Sequence, residues 1–165
     1  NYGIYLSGSS NNTVTGNTCN NNTYGIYLSG SSNNNTVTSN TCNNNTCGIY
    51  LRGSSSDNTV ICNNCNSNYD GIYLYSSSNN TITSNTCNNN NNDGIYLFSS
   101  SNNTITGNTC IRGTGTPEDY TTNQYTIYLF GSDNNYNLIS SNNCMGKAVV
   151  ISGGTSNTNV NNKSN

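Results

Sequence analysis

The amino-acid sequence predicts an all-β fold, a single-domain right-handed parallel β-helix (β-solenoid) of about seven coils of 22-23 residues. Three repeating features predict it. The tetrapeptide Gly-Ile-Tyr-Leu starts at Gly3 and recurs, with looser matches at the end, at starts spaced 22, 23, 23, 23, 32 and 22 residues apart. A Thr-Val-Thr segment that begins at Thr13 recurs at nearly the same interval, and so does a cysteine that first appears at Cys19.

Each coil contains two clear strands separated by turns. Ile-Tyr-Leu and Thr-Val-Thr alternate with a period of two, which is typical of strands, and no segment has helical spacing. The runs of Asn, Gly and Ser between them are turn residues that tolerate a left-handed backbone. In the first coil, Ile4, Leu6, Val14 and Cys19 are expected to point inward. Each strand should pair with its counterpart one coil away, at about 4.8 Å, and the crossover rule predicts right-handed winding.

The composition excludes several classes of function. Four Lys and Arg residues stand against six Asp and Glu, so no basic surplus exists to hold nucleic acid. No apolar run is long enough to span a membrane. The chain has no His, the commonest general base and transition-metal ligand, and we expect no cofactor. Only 30% of the residues are hydrophobic, while 41 of 165 are Asn, which a thin tube with few apolar groups per coil can accommodate.

Asparagines recur at one turn position of the repeat. Their side chains can stack on the Asn of the next coil and form hydrogen bonds along the rod, as Asn ladders do in cross-β structures. The alternative interpretation is that they only serve the turn. The ladder candidates are Asn17, Asn40, Asn63, Asn85, Asn108 and Asn142.

Six cysteines share one inward position, one in each of six coils: Cys19, Cys42, Cys65, Cys87, Cys110 and Cys144. Neighbours about 4.8 Å apart lie within the Cα range of a disulfide, and the even total of eight cysteines favours bridges. Pairing by neighbour would give Cys19–Cys42, Cys65–Cys87 and Cys110–Cys144. Because side chains in register point the same way, a ladder of buried free thiols is the alternative. A soft-metal site, for example for Cu(I), is a third interpretation.

The segment from Gly3 to Thr18, Gly-Ile-Tyr-Leu-Ser-Gly-Ser-Ser-Asn-Asn-Thr-Val-Thr-Gly-Asn-Thr, resembles the NosD-like right-handed parallel β-helix repeats. The resemblance covers about residues 1–145 and implies a secreted or cell-surface β-helix. Such repeats occur in carbohydrate-binding proteins, polysaccharide lyases and hydrolases, surface-layer proteins and a periplasmic factor linked to copper-enzyme maturation. The fold therefore does not select one function. This chain departs from the pattern at the third inward position, where Cys replaces the usual aliphatic residue.

The outward face of the Ile-Tyr-Leu strands becomes strongly aromatic over the last three full coils. The tyrosine of each Ile-Tyr-Leu strand points outward, and the next outward position changes from Ser to an aromatic residue. For the tyrosine column alone, we favour stabilisation of the sheet by cross-strand pairs. For the combined patch, we expect a contact surface for a polysaccharide or a neighbouring rod. Its residues are Tyr73, Tyr75, Tyr96, Phe98, Tyr128 and Phe130.

The outward threonines, from Thr13 and Thr15 to Thr104 and Thr106, resemble the flat Thr-x-Thr arrays of ice-binding β-helices. Regular spacing of hydroxyl and methyl groups could order water into an ice-like layer. The alternative is that Thr is simply a good strand former. Ice binding is therefore a second alternative function.

The acidic residues form no convergent catalytic set. Asp70 and Asp93 occupy equivalent positions in adjacent coils and are the only candidates for a weak Ca²⁺ site with backbone carbonyls. Glycoside cleavage needs paired carboxylates or a strong base, and the remaining acidic and basic residues are scattered. From this we expect that the chain is not an enzyme.

Seven Asn-x-Ser/Thr sequons are candidates for glycosylation if the protein is exported. Their acceptors are Asn11, Asn21, Asn34, Asn44, Asn79, Asn102 and Asn162. Residues 1–152 are assigned to the β-helix, with a loop insertion at about 111–125, and residues 153–165 to a degenerate last coil or frayed tail.

The function that these features favour is that of an extracellular structural β-solenoid. We expect a glycosylated subunit or segment of a cell-surface fibre or sheath, because the open strand edges of a solenoid are templates for head-to-tail or lateral self-association. The first alternative is a carbohydrate-binding module that uses the outward aromatic face.

Overall fold

The computed structural model describes residues 1–112 and 124–164. Within these residues there is no helix, and the chain winds as a parallel β-helix with three parallel sheets along its length. The predicted all-β solenoid fold is confirmed. The expected insertion at about 111–125 falls largely on residues 113–123, which lie outside the described residues.

The strands in chain order are β1 (Tyr2–Ser7), β2 (Thr13–Thr15), β3 (Tyr24–Ser29), β4 (Thr36–Thr38), β5 (Cys47–Arg52), β6 (Thr59–Ile61), β7 (Asp70–Tyr75), β8 (Thr81–Thr83), β9 (Ile95–Phe98), β10 (Thr104–Thr106), β11 (Thr109–Ile111), β12 (Ile127–Phe130), β13 (Leu138–Ser140), β14 (Asn143–Met145), β15 (Val149–Ser152), β16 (Thr158–Val160) and β17 (Lys163–Ser164).

The repeat sets the register of all three sheets. The long-strand sheet has the order β1-β3-β5-β7-β9-β12-β15, and the short-strand sheet has the order β16-β13-β10-β8-β6-β4-β2. The third sheet joins β11, β14 and β17. Equivalent residues of successive coils lie side by side, as in the pairing of Ile72 with Ile95 and of Tyr73 with Tyr96. The last segment continues the winding, because β16 pairs with β13 and β17 pairs with β14.

The core is a narrow tube with one layer of apolar side chains per coil. In the third coil, Ile49 and Leu51 come from the long strand, Val60 comes from the short strand, and Cys65 comes from the third side. All four side chains have no solvent exposure. The inward positions read from the sequence are therefore correct, and a few fully buried groups per coil replace the broad core of a globular domain.

The predicted asparagine ladder is present at the inner side of one corner. Side-chain nitrogens donate to the Oδ1 of the next coil at 3.0 Å from Asn17 as far as Asn142. A second ladder runs along another corner with spacings of 3.1–3.3 Å. Its members, which the sequence interpretation missed, are Asn12, Asn35, Asn58, Asn80, Asn103, Asn137 and Asn157.

None of the described residues belongs to a helix that could cross a membrane.

Candidate functional site

The outward face of the long-strand sheet carries a continuous column of tyrosine rings. Neighbouring rings stack with centroids 4.7–5.5 Å apart and planes inclined by 10–16°. Because each ring covers the faces of its neighbours, edges and hydroxyl groups are what the column presents outward. This geometry is that of cross-strand stabilisation. The column consists of Tyr5, Tyr27, Tyr50, Tyr73, Tyr96 and Tyr128.

A second column of rings lies beside the first over three coils. Tyr75 stacks on Phe98 at 5.3 Å with planes inclined by 8°, and Phe98 contacts Phe130 at 5.9 Å with a tilt of 38°. The guanidinium carbon of Arg52 lies 5.4 Å from the centre of the Tyr75 ring. The register pairs Phe130 with Ser152, so no aromatic ring follows Phe130 in the next coil. Phe130 is 43% exposed.

We call the six rings of the three coils in which both columns are aromatic the aromatic strip: Tyr73, Tyr75, Tyr96, Phe98, Tyr128 and Phe130. The structure brings all six together, since Tyr73 meets Tyr75 edge-on at 6.2 Å and Tyr128 lies 5.7 Å from Phe130. Burial raises the pKa of Tyr96 to about 12. This hydroxyl is therefore neutral at physiological pH and can both donate and accept a hydrogen bond.

Asp70 and Asp93 lie next to the strip, where the long strands begin, and both are buried. The Asn92 side-chain nitrogen donates to Oδ1 of Asp70 at 2.9 Å and to Oδ2 of Asp93 at 3.2 Å. The backbone nitrogen of Asp93 donates to Oδ1 of Asp70, and that of Tyr125 donates to Oδ1 of Asp93. Burial, and then the charge of Asp70, raise the pKa of Asp93 to about 7.

The geometry of this carboxylate pair does not favour a cation. Asp93 is 1% exposed, and N–H donors occupy oxygens of both carboxylates. Within residues 1–112 and 124–164, no three His, Cys, Asp or Glu side chains converge as metal ligands. The expected adjacency of Asp70 and Asp93 is present, but we propose no metal site there. We assign the pair a structural role, which joins adjacent coils.

All eight cysteines are free thiols, which corrects the expectation of disulfides. Seven are buried, and Cys62 is exposed. The register places Cys110 directly beside Cys144, with both side chains pointing into the tube rather than towards each other. Parallel Cβ vectors of this kind cannot satisfy disulfide geometry, so the buried thiol ladder replaces the bridges. Burial raises the pKa of Cys65 well above its usual range, which keeps this thiol protonated.

Six of the seven candidate glycosylation sites lie at exposed corners. Asn11, Asn21, Asn34, Asn44, Asn79 and Asn102 all have a left-handed backbone with φ between 56 and 61°. Asn162 differs, because its side chain belongs to the inner ladder and accepts from Asn142 at 2.8 Å. Six acceptors are therefore accessible, whereas the seventh is engaged in a hydrogen bond.

The outward threonines of the short-strand sheet are in register from Thr13 to Thr104. Two side chains interrupt the array of hydroxyl groups: Ile61 pairs with Thr38 and Thr83, and Leu138 follows Thr104. Ice binding by this face remains a prediction.

A polar recess that the sequence interpretation missed lies at the corner that precedes the long strands. It is open to solvent and has a volume of about 520 Å³. Its lining residues are Asn21, Asn22, Asn44, Asn45, Thr46, Ser67, Asn68, Tyr69 and Asn91. The available sequence signal was the replacement of Thr23 and Thr46 by Tyr69 at the same position of the next coil. We call it the corner recess.

The chain is thus a parallel β-helix with an aromatic surface along the outward face of its long-strand sheet. The family described as "Periplasmic copper-binding protein (NosD)" matches residues 1–116. The chain belongs to the NosD family. No curated protein sequence matches it.

The solved structures that are similar to this chain include epimerases of alginate and mannuronan. A point mutant of the periplasmic alginate epimerase AlgG has a TM-score of 0.63 and 21% identity, over 99% of this chain and 48% of the other. The A-module of the mannuronan C-5 epimerase AlgE4 from Azotobacter vinelandii has a TM-score of 0.61 and 16% identity, over 98% and 55%. The chain thus spans about half the length of these structures.

These neighbours overturn the expectation that the chain is not an enzyme. That expectation rested on the absence of His and of convergent exposed carboxylates, yet epimerases are built on this fold. At these identities the likeness shows the fold alone and brings no reaction to this chain.

The copper named in the family description does not fit the residues present. Copper prefers sulfur and imidazole ligands, and this chain has no His and one Met. The described residues hold no converging set of three ligands, and burial raises the pKa of Cys65, which disfavours the thiolate that would bind the ion. The Cu(I) interpretation of the cysteine ladder is therefore dropped.

Proposed function

We propose that the chain binds a polysaccharide outside the cytoplasm and that the ligand lies along the aromatic strip. The observation that carries this proposal is the set of six rings on one face, which ends at the 43% exposed Phe130. Solvent-exposed aromatic surface of this kind marks a contact site on a protein. Sugar rings present apolar C–H faces and polar hydroxyl edges, and both find partners on such a strip.

The two columns offer complementary chemistry. The tyrosine column supplies neutral hydroxyl groups at the coil spacing, and burial keeps the pKa of Tyr96 near 12. The second column supplies apolar surface, of which Phe130 is the most exposed part. Hydroxyl groups fix the orientation of a ligand, whereas ring surface contributes most of the buried apolar area.

The comparisons support the class of ligand and the location. The similar solved structures are named as epimerases of alginate or mannuronan, so this fold serves proteins that act on polysaccharides. The NosD family and the epimerase AlgG are both described as periplasmic, which supports export of this chain.

Affinity electrophoresis in gels that contain soluble polysaccharides tests the proposal. The Phe98→Ser, Phe130→Ser double variant removes two of the three rings of the second column and inserts the residue that Ser29 and Ser152 already place there in other coils. We expect the wild type to be retarded by at least one polysaccharide and the double variant to lose most of that retardation. Tyr136→Ala, which removes a 63% exposed ring elsewhere, is the control. Equal retardation of all three proteins would contradict the proposal.

A second candidate is a glycosylated structural solenoid on the cell surface. The observation that favours it is the exposure of six sequon asparagines at left-handed corners, where an attached glycan meets no core contact. Glycopeptide mass spectrometry of the native material tests occupancy, and imaging of the same material tests for head-to-tail fibres. Unmodified sequons and short monodisperse particles would exclude this candidate.

A further inference from the structure

We infer that the corner recess is a separate subsite for an uncharged sugar and that Tyr69 is the ring on which the sugar stacks. This inference rests on the proposed polysaccharide function and adds a location and a ligand class to it. It involves none of the residues of the aromatic strip. The juxtaposition that carries it is one free aromatic ring beside a recess lined only by uncharged polar side chains.

The ring of Tyr69 differs from the rings of the strip. It is 52% exposed, and no aromatic ring of the described residues stacks against it. The same position is Thr46 in the preceding coil and Asn92 in the following one, so the side chains on either side of the Tyr69 ring in this column are smaller than the ring. A sugar can therefore cover a face of Tyr69 without displacing another side chain.

Hydrogen bonds between buried asparagines of adjacent coils hold the floor of the recess in place. Asn45 donates from its side chain to Oδ1 of Asn68 at 3.1 Å, and the backbone nitrogen of Asn45 donates to the same oxygen at 2.8 Å. Both side chains are buried. A floor fixed in this way needs little reorganisation when a ligand binds.

The rim, in contrast, consists of unused polar groups. Asn21, Asn44, Ser67 and Asn91 are exposed, and within the described residues their side chains make no hydrogen bond. Asn21, Asn44 and Ser67 have a left-handed backbone, and hydrogen bonds between coils hold the rim, such as Asn44 N to Asn66 O and Asn91 N to Asn68 O. Amide and hydroxyl groups that are positioned but unpaired are suitable partners for sugar hydroxyls.

The absence of charged side chains from the lining of the recess indicates the class of ligand. No Lys, Arg, Asp or Glu lines it, and a volume of about 520 Å³ is that of a small-ligand site. An acidic sugar would find no cation to pair with among the lining residues, whereas the hydroxyl groups of an uncharged sugar match the amide and hydroxyl groups there. An uncharged sugar is therefore the ligand that the lining favours.

The test uses cellohexaose as the neutral probe and an oligogalacturonate of equal length as the acidic probe. Protein from a non-glycosylating host keeps the rim asparagines unmodified. Tyr69→Thr restores the residue that Thr23 and Thr46 place in this column, so the coil is expected to fold. Tyr69→Phe keeps the ring and removes the hydroxyl. Binding is followed by the chemical shifts of the recess amides, and circular dichroism verifies the fold of each variant.

We expect cellohexaose to shift the amide signals of the recess, Tyr69→Thr to weaken this binding about tenfold, and Tyr69→Phe to retain most of it. Oligogalacturonate should leave these signals unchanged. If cellohexaose binding survives in Tyr69→Thr but is lost in the Phe98→Ser, Phe130→Ser double variant, the recess inference is wrong and the proposed function stands. If the recess binds only the acidic probe, the inference is likewise wrong. If no polysaccharide or oligosaccharide binds the wild type, both fail.

Discussion

The side-chain nitrogen of Asn85 lies 3.0 Å from Oδ1 of Asn108, one coil further along the rod. The same nitrogen also donates to the backbone oxygens of Val60 and Thr83. One buried amide thus ties three coils together, and it satisfies backbone groups that a sharp corner would otherwise leave without partners. The ladder is a structural requirement of the corner rather than a by-product of composition.

Removal of this amide should destabilise the whole rod. Asn85→Ala removes the oxygen that accepts from the backbone and side-chain nitrogens of Asn63, and the nitrogen that donates to the backbone oxygens of Val60 and Thr83. We expect a loss of about 2–4 kcal/mol in the free energy of unfolding, measured by urea denaturation. Asn64→Ala is the matched control, because Asn64 is exposed and its side chain makes no hydrogen bond within the described residues. A cost below that of the control would contradict the structural role of the ladder.

Gly71 marks a close approach between two coils. A Cβ atom there would lie 2.4 Å from the backbone oxygen of Gly94 and 2.7 Å from the side-chain nitrogen of Asn90. The backbone cannot move away without breaking hydrogen bonds between the two coils. Gly71→Ala should therefore lower the free energy of unfolding by about 2 kcal/mol or more. Gly16 has φ of +68° and open space around it, so Gly16→Asn should be nearly neutral. Equal melting temperatures for the two variants would show that the approach is not tight.

The carboxylate of Asp93 should make stability depend on pH. Its folded-state pKa of about 7 lies above the unfolded value of about 3.9, because burial and Asp70 both disfavour the charged form. A raised pKa gives stability that is complete below the unfolded value and is lost as pH rises through the folded value. The pKa of Asp70 is also raised by burial, which adds in the same direction. Nearby Arg112 lowers the pKa of Asp93 and reduces the effect.

We therefore expect the free energy of unfolding to fall by about 2–4 kcal/mol between pH 4.5 and pH 8. The Asp93→Asn variant, whose amide oxygen can still accept from Tyr125, should lose most of this dependence. Urea denaturation at several pH values measures both. A wild-type stability that rises over this interval would refute the assignment.

The thiol ladder predicts a specific pattern of reactivity. In the native protein, only the exposed Cys62 should react rapidly with a thiol reagent. The other seven cysteines are buried, so the reagent cannot reach their sulfur atoms without local unfolding. In denaturant without reductant, all eight should react. If fewer than eight thiols react under those conditions, some of the cysteines form disulfides and the assignment of free thiols is wrong.

The sequence predicted the coils because each side chain repeats in register. Ile72 and Leu74 fix the inward face of β7, and the period of two then fixes Tyr73 and Tyr75 on the outward face. Cross-strand pairing of Tyr73 with Tyr96 was expected, but the distance and tilt of the two stacked rings were not predictable, because they depend on the side-chain conformations of both. The corner recess was missed because one substitution, Tyr69 for Thr, carries little weight against the strong repeat.

The aromatic strip is the proposed site of the polysaccharide, and its phenylalanines allow a direct test. The chain contains two phenylalanines, and both belong to the strip, so fluorine-labelled phenylalanine reports on this surface alone. The account predicts that a polysaccharide retained in affinity electrophoresis will shift the fluorine signals of Phe98 and Phe130 in a saturable way. Saturable binding of that polysaccharide with both signals unchanged would contradict it.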